Sequence, residues 1–173
     1  NIDKAKSLLA EAGVPNLSFE VVYDTQYPEH ESMGVIIKTA FAQAGINIDL
    51  TGLPPSQYAD RRNNREEEGA IGDNLSYVQD PAYVMQLFFW SEFAGNWANY
   101  KNEEYDEIAL KLPTLQAGPE KDRLIDRGQE IWQHDQPWIL ICNPGSNYAH
   151  RAGLTGFAWA GDNTFGYELL ADA

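Results

Sequence analysis

The stretch Leu17-Ser18-Phe19-Glu20-Val21-Val22-Tyr23, followed after an intervening apolar-striped segment by Ile46-Asn47-Ile48-Asp49-Leu50-Thr51, decides the fold. Both runs carry apolar residues at a period of two, the signature of a strand with a covered face. Between them, Pro28 and Glu29 open a segment in which Met33, Ile36, Ile37, Ala40, Phe41 and Ala44 recur at helical spacing until Gly45. Strand, helix and strand in that order predict a crossover that leaves the two strands parallel.

Working outward, residues 3–13 place Ala5, Leu8, Leu9 and Ala12 on one helical face, with Asp3 as the expected cap and Gly13 as the stop. Beyond the second strand, Pro54-Pro55-Ser56 starts a helix that runs into the charged stretch 61–68. A strand is expected over 70–77, and Asp80-Pro81 then opens an apolar helix over 82–90. Residues 91–100 read as loop. Tyr105, Ile108, Ala109 and Leu112 mark another helix. Pro119 begins the most regular one, with Leu124, Ile125, Gly128, Ile131 and Trp132 inward. The run Trp138-Ile139-Leu140-Ile141-Cys142 is expected as a buried strand enclosing a structural thiol, with a further strand near 146–150. The pattern is α/β, with at least five strands and five helices.

Twenty-six acidic residues against 12 Lys and Arg leave a formal charge of −14. Phosphate backbones are repelled by such a surface, so nucleic acid is not an expected partner. No run reaches the roughly 20 apolar residues of a membrane span, and the first residues, Asn1-Ile2-Asp3, lack the features of a signal segment.

Catalytic signatures are missing. No strand is followed by a glycine-rich phosphate loop or a dinucleotide fingerprint, and Gly145-Ser146 lacks the second glycine of a nucleophile elbow. His30, His134 and His150 stand singly, so neither a metal site nor a cofactor is expected. His134-Asp135 reads as a favourable charge at a helix end or as plain surface. What remains is a concentration of Asn74, Tyr77, Trp90, Asn96, Trp97, Asn99 and Tyr100 in loops. Aromatic faces beside amides suit a small polar ligand, while the same rings serve equally as core packing.

The order of motifs from Asp3 to Phe157 resembles the carboxy-terminal portion of the peptide-, nickel- and oligosaccharide-binding proteins of ABC importers, the family 5 solute-binding type. The resemblance rests on Asp3-Lys4-Ala5-Lys6-Ser7-Leu8-Leu9-Ala10-Glu11-Ala12-Gly13, on Asn99-Tyr100-Lys101-Asn102-Glu103-Glu104-Tyr105-Asp106, and on the helix 123–137 followed by Gly153-Leu154-Thr155-Gly156-Phe157. It implies a periplasmic-binding-protein-like lobe of type II, oligopeptide-binding-protein type, with a mixed sheet flanked by helices. Residues 1–150 would form the carboxy-terminal ligand-binding lobe, and 151–173 a segment returning toward an amino-terminal lobe absent from this chain. Also implied are a periplasmic or extracytoplasmic location, with or without a lipid anchor, a monomeric state, and ABC permease subunits in the membrane as partners.

The family's "W-x-x-D-Y-x-D-P" segment, whose first Asp pairs with a peptide's ammonium in peptide-binding members, matches Asn74-Leu75-Ser76-Tyr77-Val78-Gln79-Asp80-Pro81 here. Asn74 stands for the Trp and Tyr77 for the Asp. A phenol is neutral near pH 7 and supplies no counter-charge to an ammonium. The expected ligand is therefore a neutral or hydroxylated solute or a peptide, with Asn74, Tyr77, Trp97 and Asn96 as contacts and with no catalytic residue. A sensory or docking module on the same fold, and a carbohydrate-active enzyme built on two facing carboxylates, are the alternatives.

Overall fold

The computed structural model describes residues 1–73, 78, 80–142, 149–156 and 171–172. They fall into two compact units, residues 1–74 and 75–173.

The first unit is built on strand β1 (Ser18–Asp24), which pairs in parallel with β2 (Asn47–Leu53) from Ser18↔Asn47 to Asp24↔Leu53. On its other edge β1 pairs in parallel with the short β3 (Ala70–Ile71), giving the order β2-β1-β3. Central position explains why the last four residues of β1, Val21 to Asp24, are all buried instead of alternating. Helix α1 (Ile2–Glu11) precedes the sheet. Its cap is Asn1, whose side chain accepts from the Lys4 N–H at 3.1 Å, while the expected cap Asp3 lies in the first turn. None of its residues is fully buried.

Helix α2 (Pro28–Gln43) joins β1 to β2 and presses Met33, Ile37 and Phe41 on the sheet. Buried Gly34 is its point of closest approach, where a Cβ would come within 2.8 Å of both Leu50 methyls. Ile36 does not belong to this stripe and is 68% exposed. At 100° per residue it points about a third of a turn away from the line through His30, Gly34, Ile37 and Phe41. Helix α3 (Pro55–Asn64) ends at Arg65 in the left-handed conformation, φ 56°. It is tied to the sheet by Tyr58, whose buried hydroxyl donates to the Ile71 carbonyl at 2.7 Å, and by Arg61, 2.6 Å from Glu20 on β1.

The second unit packs helices α4 (Pro81–Phe89), α5 (Glu103–Lys111) and α6 (Pro119–Asp135) around one apolar cluster. Met85, Phe88 and Phe89 meet Tyr105, Ile108, Ala109 and Leu112, with Ile131 from α6. The four residues predicted to mark α5 are thus all buried. Asp80 caps α4 by accepting from the Ala82 N–H at 2.9 Å and is held by Lys121 at 2.8 Å. These contacts keep its carboxyl below the usual range, the lysine being the main cause. Two short strands, β4 (Leu154–Thr155) and β5 (Ala171–Asp172), pair antiparallel.

The α/β class holds, and parallel and antiparallel pairing occur in separate sheets. The expected strand over 138–142 does not form. Ile139, Leu140 and Ile141 are 65%, 75% and 51% exposed, and Cys142 is exposed instead of buried. Only Trp138 reaches the core, 4.6 Å from the Phe89 ring centroid. An apolar run becomes a buried strand only when neighbours pair with it, and no described strand does so. Of the strand expected near 146–150, residues 146–148 lie outside the described residues, and the remaining two are not in a strand.

Candidate functional site

Ligands of open α/β sheets bind beyond the carboxyl ends of the strands. In the first unit that edge is set by Asp24 at the end of β1 and by Asp73, two residues after β3. Asp24 is buried and accepts from the Gln26 N–H at 2.8 Å, which turns the chain into α2. In the first turn of α2 lies His30, 1% exposed, its ring 4.9 Å from that of Tyr27. Neither ring nitrogen has a hydrogen-bond partner, although Nε2 lies 3.5 Å from Oδ2 of half-exposed Asp73. Buried nitrogens are normally paired, and this ring leaves two without a bond. Arg62 stacks over the Tyr58 ring at 5.3 Å and reaches toward Gly72.

Sequence reasoning passed over His30 because a single histidine among helix residues carries no spacing signal. Its place after Asp24 and Tyr27, in the first turn of the crossover helix, is the feature that marks it. Among the described residues no group of three or more His, Cys, Asp or Glu is arranged to hold a metal ion. Asn74 and Tyr77, expected as ligand contacts, lie outside the described residues.

The second unit contributes the loop 91–102, which holds Asn96 and Trp97. The loop is fastened at its start by Asp106 of α5, whose carboxylate accepts from the Ser91 N–H at 2.9 Å and from the Ser91 hydroxyl at 2.5 Å. In its middle, fully buried Asn96 faces Tyr100 in both directions: Nδ2 donates to the Tyr100 carbonyl at 2.8 Å, and Oδ1 accepts from the Tyr100 N–H at 3.0 Å. The ring so closed contains Trp97, Ala98 and Asn99, the last at φ 49°. Gly95 runs so close to α4 that a Cβ would sit 2.7 Å from the Leu87 carbonyl.

At its far end the loop is fastened to α6. The Tyr100 hydroxyl and the Asn102 amide donate to Asp135 Oδ2 at 2.6 and 2.9 Å, and His134 Nδ1 lies 2.8 Å from Oδ1. His134, Tyr100 and Asn102, in that order of effect, hold the Asp135 carboxyl down at about 2. Burial and then the hydrogen bond to Asp135 push the Tyr100 phenol well above its usual range. Asn102 also caps α5 through the Tyr105 N–H. Trp97 is only partly buried, its ring 6.2 Å from Phe88. The amide of Asn96 is engaged within the loop, whereas Trp97 retains exposed surface.

The first unit is thus a parallel βαβ crossover with polar groups at its carboxyl edge, and the second carries a braced aromatic loop. Residues 1–96 match the model of the bacterial extracellular solute-binding proteins, family 5, middle region, and the chain belongs to that family. Over 178 residues, 95% of this chain and 34% of the relative, it is 27% identical to the glutathione-binding protein GsiB of Escherichia coli. The chain spans about a third of the length of the curated relatives it matches. Among solved structures, the periplasmic binding protein DppA from Helicobacter pylori in complex with peptide STSA superposes with a TM-score of 0.82 at 20% identity. That match covers 99% of this chain and 34% of DppA. HbpA2 from Haemophilus parasuis gives 0.75 at 21% identity, over 100% of this chain and 36% of its own. These likenesses show the fold. The members named are binding proteins, not enzymes.

Proposed function

We propose that this chain is the carboxy-terminal ligand-holding part of an ABC importer's solute-binding component, acting outside the cytoplasm and delivering its ligand to permease subunits in the membrane. The observation that carries this reading is the family match over residues 1–96, which spans β1 to β3, Asp73 and the loop residue Asn96. Asn74 and Tyr77 are assigned as hydrogen-bonding contacts and Trp97 as a stacking wall. Asn96 acts from behind, since its amide is already engaged with Tyr100. Binding and release by hinge motion of two lobes, with no bond made or broken, is the mechanism.

Tyr77 favours a neutral or hydroxylated solute, because a neutral phenol does not compensate a desolvated ammonium. A peptide is the second reading, favoured by similarity to a glutathione-binding protein. Calorimetry on the full-length protein with glutathione, the peptide Ser-Thr-Ser-Ala and a neutral disaccharide separates them. Disaccharide binding lost in Tyr77→Ala supports the first reading, and tight peptide binding that survives Tyr77→Ala overturns it.

A further inference from the structure

We infer that the loop 91–102 is a preorganised arm, and that Asn96 and Tyr100 are positioning residues that fix the Trp97 ring before any ligand arrives. The inference rests on the assignment of Trp97 as a ligand wall.

A free segment of this length loses backbone freedom when it closes on a ligand, and that loss is subtracted from affinity. Here the ordering is done during folding, by three fastenings at successive points. Asp106 takes both donors of Ser91 at the start. Asn96 and Tyr100 then exchange two hydrogen bonds through a fully buried amide, imitating a pair of strand residues within five residues of chain. Finally Tyr100 and Asn102 converge on one carboxylate oxygen of Asp135, which couples the loop to the end of α6.

Tyr100 belongs to two of the three fastenings, through its backbone and through its hydroxyl. Its ring is wedged edge-on against Tyr105 at 5.6 Å and Phe89 at 6.5 Å, so it has little freedom to swing away. Trp97 lies inside the smallest closed ring, one residue from Asn96. Its backbone is therefore held by bonds within the protein, and its ring lies 6.2 Å from Phe88.

The test uses the full-length protein and the substitution Tyr100→Phe, which keeps the packed ring and deletes only the hydroxyl. In the ligand-free protein the Trp97 indole N–H signal, assigned through Trp97→Phe, should shift and exchange faster with solvent. A purely structural role would leave that signal in place while lowering only the melting temperature. For whichever of glutathione, Ser-Thr-Ser-Ala and a neutral disaccharide binds the wild type, Tyr100→Phe should weaken affinity about tenfold, and should add nothing in a Trp97→Phe background. Asp135→Asn, which leaves the Tyr100 hydroxyl an amide oxygen to donate to, should retain most of the wild-type signal pattern. An unmoved Trp97 signal in Tyr100→Phe, or a full additional loss in the double variant, overturns the inference. If none of the three probes binds, the ligand reading of the site fails, and the indole signal alone still decides whether the arm is braced.

Discussion

The Tyr100 hydroxyl donates to the Asp135 carboxylate at 2.6 Å across 35 residues of sequence, fastening a loop to the end of a helix. Ionisation of the carboxylate strengthens the bond, which makes the second unit acid-sensitive. Asp135 is held at about 2 in the folded chain against an ordinary 3.8, by His134 first and then by Tyr100 and Asn102. A depressed carboxyl contributes stability that is complete above the ordinary value and is lost as pH falls from there toward about 2. The contribution is roughly 1 kcal/mol after allowance for solvent screening. Urea midpoints measured from pH 5 down to pH 2 should fall more steeply for wild type than for Asp135→Asn.

Gly95 is fixed by the carbonyl behind it. An added Cβ would lie 2.7 Å from the Leu87 carbonyl oxygen, and a backbone atom does not step aside as a side-chain tip would. Gly95→Ala should cost about 1–3 kcal/mol in chemical denaturation, as overpacking typically does. A change within experimental error would mean that the loop passes α4 at a greater distance.

Tyr105 should resist alkali. Its ring is 1% exposed, and burial pushes its phenol well above the ordinary 10.0. The neutral form is the one that folding favours, so this contribution is complete below the ordinary value and is lost as pH rises beyond it. In a near-ultraviolet titration Tyr105 should ionise together with unfolding, after the exposed tyrosines. A Tyr105→Phe protein should show a smaller late step, because Tyr58 and Tyr100 are also held above the ordinary value.

His30 offers a test in the other direction. Both ring nitrogens are buried without hydrogen-bond partners, so the ring incurs desolvation with no compensating bond. Replacing it with the apolar ring of phenylalanine should leave stability unchanged or raise it by up to about 1 kcal/mol. A clear loss in His30→Phe would show that the Asp73 carboxylate, 3.5 Å away, already provides a useful partner.

The sequence made the first unit legible because Phe19, Val21, Ile48 and Leu50 keep a strict period, and parallel pairing follows from the crossover alone. The helices of the second unit were legible for a similar reason, with starts at Asp80-Pro81 and at Pro119, whereas the Asn102 cap emerged only from the structure. Ile36 misled, because six apolar residues at helical spacing do not say which of them faces the sheet. The 138–142 run misled too: hydrophobicity shows that a segment benefits from burial, and says nothing of whether a neighbour is there to cover it. At the site, loop composition drew attention to Asn96 and Trp97. The division of labour between them depends on which amide groups meet Tyr100, a three-dimensional fact with no counterpart in spacing.

Three consecutive branched side chains, Ile139, Leu140 and Ile141, lie uncovered beside an accessible thiol. A polypeptide of this length prepared alone should therefore be adhesive despite its charge of −14. Concentrating it without reductant invites sulfur-linked aggregates, and replacing Leu140 with lysine is the simplest route to a sample that stays dispersed.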